Sequence, residues 1–451
     1  MARGVKAIMS KKILFGNDAR QQIKAGIDKC VDVVKVSMGG HGKNVLIYNG
    51  VSTEIINDGT SIANEVEVRN EIEMAGIQLA KQCANQTNED AGDGTTTTLV
   101  LLQSILNEII TDIQTENPRE LRDRLFKEAN EVLDKVEVKK IEKSEDVYNL
   151  ALTSSLDQKV AGIIEDIYRE LGKDAQVSIE ETHRNVLEKE IVQGVKFDSK
   201  NPDKISEEKI IIEDCDVLVL DKADEQEEIQ EAVKKAVARG SKNLAVIANQ
   251  FSRPILISML TTKDFNIIPV EYKMFNTIED IKDYVGDKPV KKIIITRDNT
   301  TIIEGQGRPV EKVKALQERL LKEESQFEKE NIENRIAQLL GKIAIIRVGK
   351  NTDVERQETV LKIEDAIGTV KGAYDTGYCK GGGMALKESG QTGIYEAPYK
   401  QICENAGKDI EIPDTVIDSF KTVKYSLLNA LSTATSILTA EAALIKIKDD
   451  D

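Results

Sequence analysis

The chain carries helical patterns of apolar residues near both ends and short apolar runs between them. Residues 17–37 place four apolar side chains near helical spacing, which predicts a helix with Asn17 or Asp18 as its N-cap. Residues 60–88 and 95–115 predict two further long helices. The last stretch before the tail is again small and apolar. Both ends of the chain are therefore predicted to be mainly helical.

Two features predict strands within these helical parts. The runs 44–48 and 52–56 are separated by Asn49-Gly50, a dipeptide typical of hairpin turns. The tail 445–451 alternates apolar and polar residues before three aspartates, which favours an edge strand.

The middle of the chain has a different pattern. Four short apolar runs predict buried strands, and residues 227–239 predict a helix between the first two. Such alternation is typical of an α/β domain. Residues 311–340 predict a charged helical hairpin. We therefore expect an α/β domain inserted into a helical domain that both ends build. The four runs are 217–220, 244–248, 267–270 and 293–296.

Composition narrows the class of protein. At roughly 150 residues per domain, the 451 residues predict about three domains. The net charge of −16 argues against a nucleic-acid binder and against docking on anionic membranes, and no apolar run reaches the ~18 residues of a membrane span. Five scattered cysteines without a CxxC pair indicate reduced thiols in a cytoplasmic protein. With only His41 and His183, a histidine metal site or a Ser-His-Asp triad is nearly excluded.

The strongest candidate for chemistry is the segment 91–98, which reads Ala-Gly-Asp-Gly-Thr-Thr-Thr-Thr and precedes an apolar helix. Glycines allow close backbone approach, and the free N–H groups at a helix start favour phosphate. The Asp93 carboxylate would repel phosphate unless a divalent cation stood between them. The motif therefore predicts Mg²⁺ on Asp93 and phosphates on the turn 95–97. The alternative is an ordinary capped helix, which would need only one of the four threonines.

Two further glycine-rich segments are weaker candidates. Residues 37–44 read Ser-Met-Gly-Gly-His-Gly-Lys-Asn, and residues 380–386 read Lys-Gly-Gly-Gly-Met-Ala-Leu. Either segment would let a nucleotide approach the backbone closely. The first lacks the GxxxxGK[ST] spacing of a P-loop, and glycine is also common where helices end. Both segments are open to either interpretation.

Two acidic positions have equally open roles. Asp58, in Asn57-Asp58-Gly59, would orient a water molecule or would only cap a helix. Asp365 lies in the pattern Ile-Glu-Asp-Ala-Ile, and acids within helices are usually solvated. Taken alone, neither residue indicates catalysis.

In their order and distances, these segments together resemble the group I chaperonins, the GroEL type. The GDGTTT segment and the glycine triplet are the most specific parts of the pattern. The resemblance spans nearly the whole chain. It is carried by residues 15–20, 34–44, 58–59, 91–97, 117–118, 194–198, 298–305, 348–349, 364–366, 381–383 and 396–398.

The resemblance implies a multidomain α and α/β fold. Residues 1–138 and 376–451 would form a helical equatorial ATPase domain, and residues 139–192 and 343–375 a small intermediate hinge domain. Residues 193–342 would form an inserted α/β apical domain that binds substrate. The implied function is an ATP-dependent molecular chaperone that assists protein folding in a ring-shaped homo-oligomer. Its clients would be unfolded or partly folded proteins in the cytoplasm, or in a host cytoplasm if the source is viral.

The resemblance also implies a role for each matching residue. Asp93 would hold Mg²⁺, Asp418 would meet the ribose, and Asp58 and Asp365 would align and activate the attacking water. Because Asp365 comes from the intermediate domain, hydrolysis would require that domain to swing over the pocket. The remaining contacts to ATP would come from Ser37, Met38, Gly39, Gly40, Asn57, Gly94, Thr95, Thr96, Thr97 and Gly382.

Several positions depart from the family pattern. Asn57 replaces a lysine, which leaves K⁺ open as an additional cation. The chain is short between Gly383 and Glu396, and the hairpin expected before Asp418 is missing. The loop after Phe197 lacks aromatic residues, which leaves docking of a cochaperonin lid open. Two alternatives therefore stand beside the folding chaperone: a ring-forming scaffold that has lost ATP cycling, and a phosphotransferase that uses the same loop.

Overall fold

The chain divides into two compact units, which we call the helical unit and the sheet unit. The helical unit comprises Met1–Lys173, Glu181–Leu187 and Val348–Asp451, and the sheet unit comprises Asp174–Glu180 and Glu188–Arg347. The expected insertion of one domain into another is thus present. Within this span, the computed structural model describes residues 11–48, 50, 53–109, 117–200, 209–262, 265–273, 278–286, 288–296, 299–305, 307, 309–321, 332, 336, 341–391 and 393–446.

Helices dominate the first unit and strands the second. In chain order the helices are α1 (Gly16–Val34), α2 (Gly59–Glu65), α3 (Glu71–Ala91), α4 (Thr95–Ile109), α5 (Pro118–Leu133), α6 (Ser144–Ser155), α7 (Gln158–Leu171), α8 (Gln226–Ala238), α9 (Arg253–Thr261), α10 (Ile278–Val285), α11 (Pro309–Leu320), α12 (Asp353–Thr376), α13 (Met384–Ser389), α14 (Gly393–Ala406) and α15 (Phe420–Thr439). The strands are β1 (Lys11–Phe15), β2 (Val45–Tyr48), β3 (Thr53–Ile56), β4 (Gln176–Glu181), β5 (Leu187–Lys200), β6 (Lys209–Ala223), β7 (Asn243–Phe251), β8 (Asn266–Tyr272), β9 (Val290–Thr296), β10 (Asn299–Ile303), β11 (Lys342–Val348), β12 (Tyr378–Lys380), β13 (Ile417–Ser419) and β14 (Ala442–Lys446).

The core of the helical unit forms around α1, α3, α4 and α15, whose apolar side chains are buried together. Helices α1 and α3 cross at two glycines. A Cβ on Gly26 would lie 1.9 Å from the carbonyl oxygen of Glu73, and a Cβ on Gly76 would lie 2.0 Å from that of Ile23. Only glycine fits at such a crossing, because the two backbones touch. This close packing brings α4, which carries the threonine segment at its start, into the centre of the unit.

Three two-stranded sheets complete the helical unit. β2 pairs with β3 as the predicted hairpin, although residue 49 of its turn lies outside the described residues. β14 pairs antiparallel with β1 and overlaps the strand predicted at 445–451 at residues 445 and 446; residues 447–451 lie outside the described part. β12 pairs antiparallel with β13, so that Cys379 lies opposite Asp418.

Two predictions about helices are wrong in detail. The helix expected at 60–88 is two helices, because the Asn70 side chain accepts hydrogen bonds from the N–H groups of Ile72 and Glu73 and starts a new helix. Neither Asn17 nor Asp18 is an N-cap. Strand β1 runs directly into α1, and the N-cap is Phe15 in extended conformation.

The sheet unit is built on an eight-stranded sheet of order β10-β9-β6-β7-β8-β5-β11-β4. β6, β7 and β8 are parallel neighbours, and the four predicted apolar runs all lie in strands of this sheet. Helix α8 fits the predicted helix at 227–239. Of the predicted hairpin at 311–340, α11 is present up to Leu320, and nearly all of the rest lies outside the described residues. The finer division into five domain segments stays a prediction.

Candidate functional site

The glycine-threonine segment forms a tight turn between α3 and α4. Gly92 ends α3 with φ of 74°, and Gly94 has φ of 94°, conformations that favour glycine. The carbonyl oxygen of Gly94 accepts hydrogen bonds from the backbone N–H and the hydroxyl of Thr98, both at 2.9 Å, and from the hydroxyl of Ser426 at 3.2 Å. The turn is thus held from α4 and α15.

This turn leaves a set of donors at the start of α4. The first intrahelical bond is the one from the N–H of Thr98 to Gly94. Helix geometry gives the N–H groups of Thr95, Thr96 and Thr97 no acceptor within the helix. Together with the positive end of the helix dipole, these three N–H groups form the anion-binding arrangement that the sequence predicts.

Asp93 is a half-buried carboxylate surrounded by donors. Its Oδ1 accepts the N–H of Gly94 at 2.5 Å, and its Oδ2 accepts the hydroxyls of Thr369 at 2.6 Å and Ser154 at 2.8 Å. Burial raises the pKa of Asp93 above its usual value; the three hydrogen bonds oppose this rise, and the charge of Asp58 adds to it.

The two predicted catalytic acids lie within electrostatic range of Asp93. Asp58 caps α2 and accepts the N–H of Ser61 at 2.6 Å. Burial, followed by the charges of Asp93 and Asp58, raises the pKa of Asp365 well above its usual value. The turn before α2 also abuts α4, since a Cβ on Gly59 would lie 2.1 Å from the Thr96 hydroxyl oxygen. The structure therefore brings all three acids to the start of α4.

The C-terminal part of the chain contributes Gly382 and Asp418. The Asp418 carboxylate accepts a hydrogen bond from the backbone N–H of Gly382, and burial raises its pKa to about 7, with a further contribution from the charge of Asp93. The short β12–β13 pairing holds these residues in register. Residues far apart in the sequence thus converge on one site.

A cleft of about 480 Å³ opens beside Gly382. Gly382 has φ of 61°, and a Cβ there would meet the Ile412 side chain at 3.2 Å. The segment 407–416, which is fully described, contains no strand, in agreement with the missing hairpin. The cleft is lined by Lys380, Met384, Glu388, Tyr399, Asp409, Ile410, Glu411, Ile412, Pro413, Asp414 and Val416.

The first glycine loop follows α1 and contributes mainly backbone. The side chain of Met38 is buried against Val100 and Ile402 and is therefore not available to a ligand. Its N–H donates to the carbonyl of Lys35 at 3.2 Å, and its carbonyl accepts from the Asn405 amide at 2.9 Å. Ser37 is also buried and donates its hydroxyl to the carbonyl of Val34 at 2.8 Å. Gly39 has φ of 77°.

The two neighbouring predicted residues are more open. A Cβ on Gly40 would meet no atom within 4 Å. The Asn57 amide donates to the Asn44 side chain at 3.1 Å. Neither residue makes a described contact to the acids of the site, and their predicted roles stay predictions.

The donor set around Asp93 suits Mg²⁺. Oxygen ligands are the ones Mg²⁺ prefers, and it is usually bound by one or two carboxylates together with phosphates and water. Among the described residues there is no group of three or more His, Cys, Asp or Glu arranged to hold a metal alone. A cation at Asp93 would therefore rely on ligand oxygens, and it would offset the charge of the four neighbouring carboxylates.

Sequence reasoning missed the two hydroxyl donors to Asp93. Ser154 lies near the end of α6 and Thr369 in the middle of α12, and neither belongs to a glycine-rich or acidic motif that would single out its hydroxyl. The one available signal was the spacing of Thr369, four residues after Asp365 and therefore on the same helix face.

Comparisons with known proteins find chaperonins that are similar to this chain over nearly its whole length. The chain is 29% identical, over an alignment of 528 residues covering 98% of both chains, to the chaperonin GroEL of onion yellows phytoplasma (strain OY-M). Two crystal forms of the chaperonin gp146 of bacteriophage EL 2 (Pseudomonas aeruginosa), determined in the presence of ATP-BeFx, match with TM-scores of 0.66 and 0.62. Both matches are at 17% identity and cover 97% of this chain and 99% of the other.

No helix in the described part of the chain is long and apolar enough to cross a membrane.

The family assignment rests on the sequence as well as on the fold. Residues 31–392 match the TCP-1/cpn60 chaperonin family, which is more than half of the chain, and they include the glycine-threonine turn, Asp365 and Gly382. The chain is therefore a member of the TCP-1/cpn60 chaperonin family, with the chaperonin fold.

Proposed function

We propose that this protein is an ATP-dependent folding chaperone that binds Mg-ATP at the start of α4 and hydrolyses it. The observation that carries the proposal is that Asp58, Asp365 and Asp418 all interact electrostatically with Asp93, the carboxylate in the turn before α4. Carboxylates beside three free N–H donors suit a cation-bound triphosphate better than they suit a lone cation or a metal-free triphosphate. Members of the family are chaperones, and ATP hydrolysis at this site would drive the conformational cycle of the chaperone.

Each residue has a defined task in the proposed reaction. The N–H groups of residues 95–97 would bind phosphate oxygens and stabilise the charge that develops on them. Asp58 and Asp365 would orient the attacking water, and burial beside the charges of Asp93 and Asp58 raises the pKa of Asp365, which makes its carboxylate a stronger proton acceptor. Bound Mg²⁺ would offset negative charge on the phosphates. Asp418 would meet the ribose, and Ile412 would provide an apolar surface for the base.

Helix α12 already lies against the turn in this structure. Thr369 on α12 bonds to Asp93, and Gly368 meets Gly92. A swing of the helix onto the pocket is therefore not needed to bring Asp365 close. In the proposed cycle, α12 would instead move away from the turn when the products of hydrolysis leave the site.

Two exposed apolar ribbons on the helical unit support assembly into a ring. The hairpin β2–β3 exposes Leu46, Tyr48 and Ile55, and the β1–β14 sheet exposes Phe15 and Leu444. A two-stranded sheet is marginally stable alone and gains by pairing with a further sheet. Because the two ribbons differ, pairing one with the other between copies would be heterologous, the kind of contact that closes rings.

The sheet unit offers a groove for client proteins between α8 and α9. It measures about 270 Å³, and Val233 and Met259 are among its apolar lining residues, with Lys234 beside them. On α9, Leu256 and Leu260 are half-buried, whereas the large apolar side chain of Ile257 is exposed. A small groove of this kind fits short apolar segments of a partly folded client.

The test combines ATP turnover with client refolding. Wild-type protein should hydrolyse Mg-ATP, and Asp365→Asn should lower turnover by at least about 100-fold while nucleotide binding persists. Asp375→Asn is the matched control, since Asp375 lies on the same helix and pairs with Lys421 at the surface. The yield of refolded client, measured on an aggregation-prone protein with and without a cochaperonin, should fall in the variants whose ATP turnover falls. A wild type that forms rings without turnover would identify the scaffold alternative instead.

A further inference from the structure

The metal-binding carboxylate of the proposed site is held by side chains from two other helices. Both Ser154 on α6 and Thr369 on α12 donate to the same oxygen, Oδ2 of Asp93. Thr369 is only 2% exposed. A carboxylate has about four lone-pair sites, so two hydroxyls and the Gly94 N–H leave room for a cation.

These two hydroxyls differ from their neighbours on the same helices. Ser155 donates to the carbonyl of Ala151, and Thr376 donates to the carbonyl of Gly372, the usual bonds of a hydroxyl within a helix. Thr369 instead reaches across 276 positions of the sequence to Asp93. Its hydroxyl therefore connects two helices rather than satisfying its own backbone.

The position of Thr369 links Asp93 to Asp365. The two residues of α12 are four apart, so they lie on one face of the helix, about one turn from each other. The contact between Gly92 and Gly368 lets α12 approach the turn closely enough for the hydrogen bond. A bond at Thr369 consequently fixes the distance between Asp93 and Asp365.

We propose that Thr369 and Ser154 are positioning residues of the site, a conclusion that rests on the proposed function. Their hydroxyls keep the Asp93 carboxylate in the orientation that receives the cation, and Thr369 also keeps Asp365 in register with it. Groups that hydrogen-bond to a metal ligand typically contribute about 10- to 100-fold to metal affinity or activity. Thr369, which serves both acids, is expected to have the larger effect.

The experiment measures Mg²⁺-dependent binding of a fluorescent ADP analogue to the full-length oligomer. Thr369→Val should raise the Mg²⁺ concentration for half-maximal binding by about 10-fold, while binding of the analogue in EDTA stays unchanged. Ser154→Ala should act in the same direction and less strongly. Thr369→Ser, which restores the hydroxyl, should return the Mg²⁺ dependence to that of wild type. Thr376→Val and Ser155→Ala are the matched controls.

The outcomes separate this inference from the function on which it rests. If wild-type protein shows no Mg²⁺-dependent binding of the analogue, the proposed function is wrong. If wild type binds and Thr369→Val has the same Mg²⁺ dependence, the positioning role is wrong and the function stands. If Thr369→Ser is as defective as Thr369→Val, the hydroxyl is not the cause, and the positioning role is again wrong.

Discussion

Gly92 and Gly368 meet backbone to backbone in the helical unit. A Cβ on Gly92 would lie 2.8 Å from the Cα of Gly368, and a Cβ on Gly368 would lie 2.4 Å from the carbonyl oxygen of Gly92. Real Cβ atoms do not approach backbone this closely, so any larger residue would push α12 away from the turn. The contact thus sets how closely Asp365 can approach Asp93.

Gly368→Ala should therefore impair both stability and turnover. Forcing one methyl group into this contact is expected to lower the free energy of unfolding by about 1–3 kcal/mol. Denaturant unfolding measures that loss, and Mg-ATP hydrolysis should fall with it because α12 is displaced. Gly162→Ala on α7 is the control, since a Cβ there meets no atom within 4 Å. Equal effects of the two substitutions would contradict the steric explanation.

The raised pKa of Asp418 predicts how stability depends on pH without nucleotide. Its pKa of about 7 in the folded protein lies above the usual value for Asp. Between about pH 4 and 7, Asp418 is therefore protonated in the native state and ionised in the unfolded state. The free energy of unfolding should therefore fall as pH rises through this window, by about 1.4 kcal/mol for each pH unit. Asp365, whose pKa is also raised, acts in the same direction.

Asp418→Asn should make this pH dependence shallower, because the amide does not titrate. Thermal unfolding from pH 4 to pH 8, in EDTA and without nucleotide, measures the effect. Asp375→Asn serves as the control for an exposed acid. A wild-type protein that becomes more stable as pH rises across this range would contradict the assignment.

Ring assembly should depend on the exposed ribbon of β2–β3. Leu46 is 63% exposed on the hairpin, and Leu46→Lys would place a charge in the proposed contact between copies. We expect the variant to shift from ring to monomer in mass photometry while its circular dichroism is unchanged. Leu156→Lys is the control, because Leu156 is 54% exposed but lies at the end of α6, outside any strand. A ring that survives the Leu46 substitution would exclude this hairpin from the contact.

The elements that the sequence predicted well depend on local information. Apolar runs such as 244–248 identify β7 because a buried strand needs a continuous hydrophobic stretch. The glycine-threonine turn could be predicted from the sequence because its positive φ angles favour glycine, which occupies both positions, Gly92 and Gly94. The break at Asn70 was missed, since the apolar spacing continues on both sides and only the capping geometry reveals the second helix.

The parts that the sequence did not predict depend on long-range contacts. Thr369 and Ser154 belong to ordinary helical patterns, and beyond the four-residue spacing of Thr369 from Asp365 nothing local indicates that their hydroxyls reach Asp93. The same holds for Ile412, which faces Gly382 only because the segment before β13 folds back over the glycine triplet. Contacts between residues that lie tens to hundreds of positions apart require the assembled fold.

The pairing of β1 with β14 has a consequence for the order in which the protein matures during synthesis. Lys11 pairs with Lys446, so β1 has no partner until the ribosome has synthesised and released the chain through residue 446. The segment Glu188–Arg347 emerges completely before that moment, and domains generally fold as units during translation. The inserted sheet unit can therefore reach its native state while the helices that enclose the acids still await their final strand.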